Sequence, residues 1–286
     1  MRAARLDFDD INAGHGSSSP GHGRAWGLDL RPDLPTSTDK LVGIDLTHII
    51  HTSDVAFAKG GNGGGGNGGG GGGGGGTTSF APYTSGPSSA SADRLTDLII
   101  GELPNITVYG GKGGPKQVDD ILIVAELANI DGLYGILGQA GPTSVRTDGS
   151  LPATATMKFD IADVNAMGLD AFADVVLHEM GHSLGFGSIW SRLDLVTNGL
   201  FTGDNALAEY LAMGGSGSGI PVEQDGGAGT AGSHWDEELF NNELMTGYIN
   251  EGENYFTAMS AASFADMGYA IATNYADLAD PGYMFA

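Results

Sequence analysis

The sequence predicts an α+β fold, and three observations carry that prediction. Apolar runs rich in Ile, Leu and Val, one of them alternating with polar residues, occupy much of residues 93–162. At Asp170 the apolar period changes from that of a strand to that of a helix. Beyond that helix the chain turns glycine-rich over 214–233, then closes with a second helical pattern at 257–271. With 286 residues, 41% of them hydrophobic, there is enough apolar surface for a real core.

Residues 1–59 are expected to form an N-terminal extension, irregular over 1–38, where "GHGSSSPGHGR" shows little periodicity. "KLVGIDLTHIIHTSDVAFA" (40–58) is the first stretch apolar enough to pack. Its His48 and His51, three apart, suit a helix surface or a local cap, with metal binding as the alternative. The tract "GGNGGGGNGGGGGGGGG" (60–76) can bury nothing and loses the most backbone entropy on ordering, so it is read as a flexible linker. It has no Asp, which excludes glycine-rich calcium-binding repeats.

After the linker, 77–187 is expected to form one subdomain and 188–286 a second, less regular one. "DRLTDLIIGEL" (93–103), "NITVYGG" (105–111) and "DDILIVAELANI" (119–130) are rich in Ile, Leu and Val, and the last has the texture of a buried strand. In "TATMKFDIA" (154–162), Met157, Phe159 and Ile161 alternate with Lys158 and Asp160, the pattern of an edge strand with one face on a core. From Asp170, a candidate N-cap, Phe172, Val175, Val176 and Met180 share a helical face, and the "GFG" at 185–187 ends the helix. Met259, Ala262, Phe264 and Met267 mark the inward face of the closing helix.

The charge balance excludes one class of partner. Twelve basic residues stand against 35 acidic ones, a net charge of −23, and no basic cluster could neutralise several phosphates, so no nucleic-acid partner is expected. The acidity is read mainly as solubility; structural Ca2+ is a further option without a placed site. There is no cysteine, which excludes disulfides and thiolate ligands and leaves any metal to nitrogen and oxygen donors. "MRAARLDFDDIN" lacks the apolar core of a secretory signal, and no apolar run has the length of a transmembrane segment. The expectation is a monomer exported by a route without a cleaved signal, with a cytoplasmic location or a fragment of a longer protein as alternatives.

"HEMGHSLGFG" (178–187) carries the chemistry. Residues four apart share a helix face, so His178 and His182 can aim two imidazoles at one zinc ion with Glu179 beside them. Glu179 would be the general base towards a water that the metal acidifies. Gly185 allows a sharp turn after the helix, as suits a third ligand lying downstream. The commonest position for that ligand, 188, holds Ser188. Of the seven histidines, at 15, 22, 48, 51, 178, 182 and 234, only His234 follows the helix. The N-terminal histidines remain alternatives.

"HEMGHSLGFG", a long insertion, "SHW" and then "ELM" containing Met245 together resemble leishmanolysin, the surface zinc peptidase family of the metzincin group. "ILGQAGP" (136–142), "MKFDIADV" (157–164) and "SFADMGY" (263–269) are similar to that family too, and the resemblance covers roughly 93–271. It implies one Zn2+ held by His178, His182 and His234, Glu179 as catalytic acid/base, and Met245 in a Met-turn beneath the metal. The family's disulfides and its thiolate-blocked prosegment cannot apply to a chain without cysteine. Tyr248, three after Met245, is not assigned as a ligand.

The resemblance implies a metzincin-like unit: a twisted mixed sheet and the zinc helix above a cleft, with the C-terminal subdomain below. The implied function is zinc-dependent hydrolysis of peptide bonds, the polypeptide adding as a strand along 154–162. A catalytically weak adhesion or peptide-binding protein using the same cleft is the alternative. Glu179, which mere binding does not need, argues against it.

Overall fold

The computed structural model describes residues 4–7, 55–57, 87–109, 115–283 and 285. The 60–76 tract, His15, His22, His48 and His51 lie outside them. The strands are β1 (Ala4–Asp7), β2 (Val55–Phe57), β3 (Ile106–Val108), β4 (Lys116–Val118), β5 (Ile121–Ala128), β6 (Ile136–Val145), β7 (Pro152–Asp160), β8 (Val196–Thr197), β9 (Leu200–Phe201), β10 (Ile220–Pro221) and β11 (Tyr248–Ile249). The helices are α1 (Pro87–Leu98), α2 (Ile161–Ala166), α3 (Leu169–Ser183), α4 (Asp204–Ala212), α5 (Glu237–Phe240) and α6 (Ala258–Asp266). The fold is therefore mixed α+β, with several sheets.

The largest sheet is mixed and six-stranded, in the order β11-β1-β6-β7-β5-β2. β7 runs parallel to β5, from Leu122↔Thr154 to Ala128↔Asp160, and antiparallel to β6. Small antiparallel sheets, β3-β4 and β10-β9-β8, flank it.

The 154–162 segment is not an edge strand. β7 has neighbours on both sides, so its ladder groups are committed to β5 and β6 and offer nothing to an incoming peptide. Alternation reports which face of a strand is buried: Met157 and Phe159 are buried while Lys158 is exposed and pairs with Glu126 across β5 at 3.5 Å. It carries no information about whether the strand's two edges are paired. The N-terminal extension also departs from the irregular reading, because Ala4–Asp7 pairs with both β6 and β11. That strand exists through contacts distant in sequence, which local periodicity does not register.

β7 ends at Asp160, whose carboxylate caps α2 through Ala162 N (2.7 Å) and accepts the amides of Ile130, Asp131 and Gly132. Burial opposes ionisation of Asp160, but the backbone N–H groups of Gly132, Ile130, Ala162 and Asp131 prevail and hold its pKa below the usual carboxylate range. This anion joins the end of β7 to the loop that leads into β6.

α3 packs on the sheet through Phe172, Val175, Val176 and Met180, all buried, with the Phe172 ring edge-on to Phe159 at 5.3 Å. Its N-cap is Gly168 rather than Asp170, which sits in the first turn, where a carboxylate faces the positive end of the helix dipole. α6 begins after Thr257, whose side chain accepts from Ser260 N, and Met259, Ala262, Phe264 and Met267 are buried. Among the described residues no helix is long and apolar enough to cross a membrane.

Candidate metal centre

α3 carries His178 and His182 one turn apart, and the chain leaves it at Gly185 with φ +111°. Two residues on, Gly187 has φ +68°, and a Cβ there would stand 2.1 Å from the Ser233 carbonyl oxygen. This glycine lets the end of α3 press against the segment carrying His234. The 214–233 stretch is not loose where it returns. Glu223 N donates to His234 O, Gly232 N to Glu223 O, and Glu223 Oε2 accepts Glu237 N. Next to His234, Trp235 packs at 5.1 Å from Phe186 and 5.0 Å from Trp190. Burial of these rings fixes where the downstream histidine arrives.

The three imidazoles meet at one point. His178 Nδ1 lies 2.7 Å from Leu244 O, His182 Nδ1 2.9 Å from Phe186 O, and His234 Nδ1 3.0 Å from Thr230 O. A carbonyl only accepts, so in each hydrogen bond Nδ1 carries the hydrogen, and in the neutral imidazole Nε2 is then the lone pair. The three Nε2 atoms are 2.8, 3.0 and 3.2 Å apart. Tetrahedral zinc with bonds of about 2.0–2.1 Å would set these edges at roughly 3.3 Å, a few tenths of an ångström wider. Burial first, then the neighbouring imidazoles, holds His178 and His182 well below the ordinary histidine pKa, in the neutral form that a metal binds. The donor set suits zinc: three imidazole nitrogens, a fourth position left over, and each ring oriented by a backbone acceptor.

His178, Glu179, His182 and His234 are each 0% exposed. Glu179 lies against β6, where a Cβ on Gly138 would meet Glu179 Oε1 at 2.5 Å. Met245 is buried against α3, where a Cβ on Gly181 would meet its Cε at 2.9 Å. Tyr248 stands in β11 and is not part of the histidine group. Glu102, Asp119 and Asp120 also bring carboxylates together, but Glu102 and Asp119 are exposed and Asp120 already accepts Leu103 N, so Ca2+ gains no support there.

A family model described as Leishmanolysin matches residues 216–279, a span that holds His234 and Met245. Leishmanolysin of Leishmania donovani is 28% identical over 173 residues, covering 54% of this chain and 29% of that protein. Leishmanolysin of Leishmania major is 29% identical over 170 residues, covering 54% and 27%. The chain is leishmanolysin-like. A leishmanolysin homolog of Crithidia fasciculata is 26% identical over 180 residues, covering 54% and 25%. The leishmanolysin-like chain thus spans under a third of the length of these relatives.

Several participants carry no chemical signature in the sequence. Three are backbone carbonyls, of Phe186, Thr230 and Leu244, and four are glycines that make room: Gly138 for Glu179, Gly181 for Met245, Gly187 for Ser233 and Gly247 for Thr230. Gly181 and Gly187 stand inside the histidine motif, so their position was a usable signal; Gly138 and Gly247 offered none.

Gly187→Ala should lower stability by about 1–3 kcal/mol from backbone strain alone, with the contact to Ser233 adding to it, and should weaken metal binding by displacing His234. Gly149→Ala provides the comparison, since φ is +84° there but nothing lies within 4 Å. Denaturant unfolding and zinc titration of both variants check this. Equal zinc affinity in the two would show that the Gly187 contact does not set the His234 position.

Proposed function

We propose that this leishmanolysin-like chain is a zinc-dependent metalloendopeptidase acting on extended polypeptides. The observation that carries the reading is the convergence of three histidine Nε2 atoms, two of them on one helix with a buried glutamate beside them. His178, His182 and His234 would hold the zinc, with Met245 packed below. Bound zinc supplies Lewis acidity towards a scissile carbonyl and acidifies water.

Glu179 has the role that histidines donating from Nδ1 cannot fill: it takes the proton of the attacking water and passes it to the leaving amine nitrogen. Its place against Gly138 of β6 keeps the carboxylate beside the histidine turn. Incubating the full chain with casein, with and without a chelator, alongside metal analysis, tests metal and chemistry together. Zinc binding without chelator-sensitive cleavage would favour the peptide-binding alternative.

Two substitutions separate the roles. Glu179→Gln should keep zinc and fold while kcat falls by orders of magnitude, because only proton transfer is removed; near wild-type turnover would exclude Glu179 as the base. His234→Ala should lose zinc at matched free metal, since a ligand is gone; full occupancy would return the third ligand to the N-terminal histidines.

A truncation tests the extension. β1 runs alongside Ile136–Gln139, the stretch of β6 holding Gly138, and pairs on its other side with β11, three residues beyond Met245. Deleting 1–76 should leave zinc content unchanged and activity equal or higher. A folded truncation lacking zinc would place a ligand among His15, His22, His48 and His51.

A further inference from the structure

Glu243 is the residue of the "ELM" segment that the site as described leaves without a role. It is 0% exposed, and its carboxylate is hydrogen-bonded by neutral donors. Met245 N donates to Oε2 at 2.6 Å. Oε1 accepts Thr257 N at 3.2 Å, Thr257 Oγ1 at 2.8 Å and Ser260 Oγ at 2.5 Å. Burial pushes the carboxyl up to about 7, while the donors of Ser260, Met245 and Thr257 pull it back. Two of these four, Met245 N and Thr257 N, are backbone N–H groups that can only donate, one to each oxygen, so both oxygens of the side chain must accept.

These bonds lead in two directions, one ending on His178 and the other on Trp235, the residue after His234. The peptide whose N–H Glu243 holds is that of Leu244 and Met245; its carbonyl, Leu244 O, takes the His178 Nδ1 hydrogen. Met245 O in turn accepts Trp235 N, the amide directly after His234. The second route runs through Ser260, which donates to Glu243 and accepts Trp235 Nε1 at 2.8 Å. One buried anion therefore ties the Met245 turn and the start of α6 to both sides of the histidine triangle.

We propose that Glu243 is the positioning residue of the candidate metal centre, fixing the Leu244 carbonyl and the Trp235 ring so that His178 and His234 converge with His182. The proposal rests on the zinc reading of that site. A glutamine at 243 would turn its NH2 towards either the Met245 N–H or the Thr257 and Ser260 donors, setting donor against donor on the turn that orients His178.

The test uses the full chain carrying Glu243→Gln, with Val164→Ala, a core truncation on α2, as a variant destabilised elsewhere. Zinc affinity is read by chelator competition, hydrogen exchange of the Met245 amide in metal-free protein, and kcat and KM on casein. Expected for Glu243→Gln are roughly 10–100-fold weaker zinc binding, loss of Met245 amide protection, and a lower kcat at unchanged KM. Val164→Ala should keep wild-type zinc affinity. Wild-type zinc affinity and Met245 protection in Glu243→Gln would overturn the proposal, as would an equal loss of affinity in Val164→Ala. Should Glu243→Gln not fold, Ser260→Ala, which cuts only the Trp235 route, is expected to weaken zinc in the same direction by less; unchanged affinity there overturns it. Wild-type protein that takes up no zinc would sink the metal reading instead, and Met245 exchange would then decide the positioning role alone.

Discussion

Three backbone carbonyls, those of Leu244, Phe186 and Thr230, decide which nitrogen of each clustered histidine carries the hydrogen. Everything about the site follows from that constraint. With Nδ1 donating outward, three lone pairs face one another at 2.8–3.2 Å, an arrangement that no set of hydrogen bonds among them can satisfy. A small cation resolves it. The carbonyls come from three different segments: the chain just past α3, the glycine-rich return before His234, and the turn at Met245. Any shift among those segments changes ligand direction as well as distance.

Close approach of these segments needs missing side chains. Gly138, Gly181, Gly187 and Gly247 each stand where a Cβ would meet a neighbouring atom at under 3.0 Å, and three of those neighbours belong to Glu179, Met245 and the peptide before His234. At Gly185, which turns the chain out of the helix, positive φ is joined by a close neighbour, since a Cβ there would stand 2.7 Å from Ile189 Cδ1. The glycine richness of 214–233 has a comparable local cause, since Gly217, Gly226, Gly227, Gly229 and Gly232 all have positive φ along a return held by defined hydrogen bonds. Composition alone suggested looseness there because it counts glycines without showing what their conformations close against.

The legible parts of the site were those encoded by short periodic spacing. His178, Glu179 and His182 follow from one helical turn, and the buried faces of α3 and α6 from the 3.6-residue period. His234 was reachable because the count of histidines was small, whereas its return path was not, since it depends on Glu223, Trp235 and Gly187 acting across the fold. β7 was correctly seen as half-buried and wrongly placed at an edge, because strand order is decided by pairing with β5 and β6, not by the strand's own pattern. β1 was missed for the same reason. Gly168 displaced Asp170 as the cap of α3, since Leu169 already begins the helix.

The chain builds this centre without any cysteine, so the histidines must be held by packing and hydrogen bonding alone. Phe186, Trp190, Phe201 and Trp235, each at most 1% exposed, stack between the end of α3 and the His234 segment, with centroids 4.6–5.3 Å apart. Burying rings of this size contributes several kcal/mol, at about 25 cal/mol per Å2 over roughly 150–250 Å2 each. The opposing terms are the desolvation of Glu179 and Glu243 and the mutual repulsion of three lone pairs. Metal binding would relieve the last of these and so link metal affinity to fold stability: whatever loosens the aromatic wedge would weaken the metal, and a bound metal would hold the wedge closed between His182 and His234, 52 positions apart.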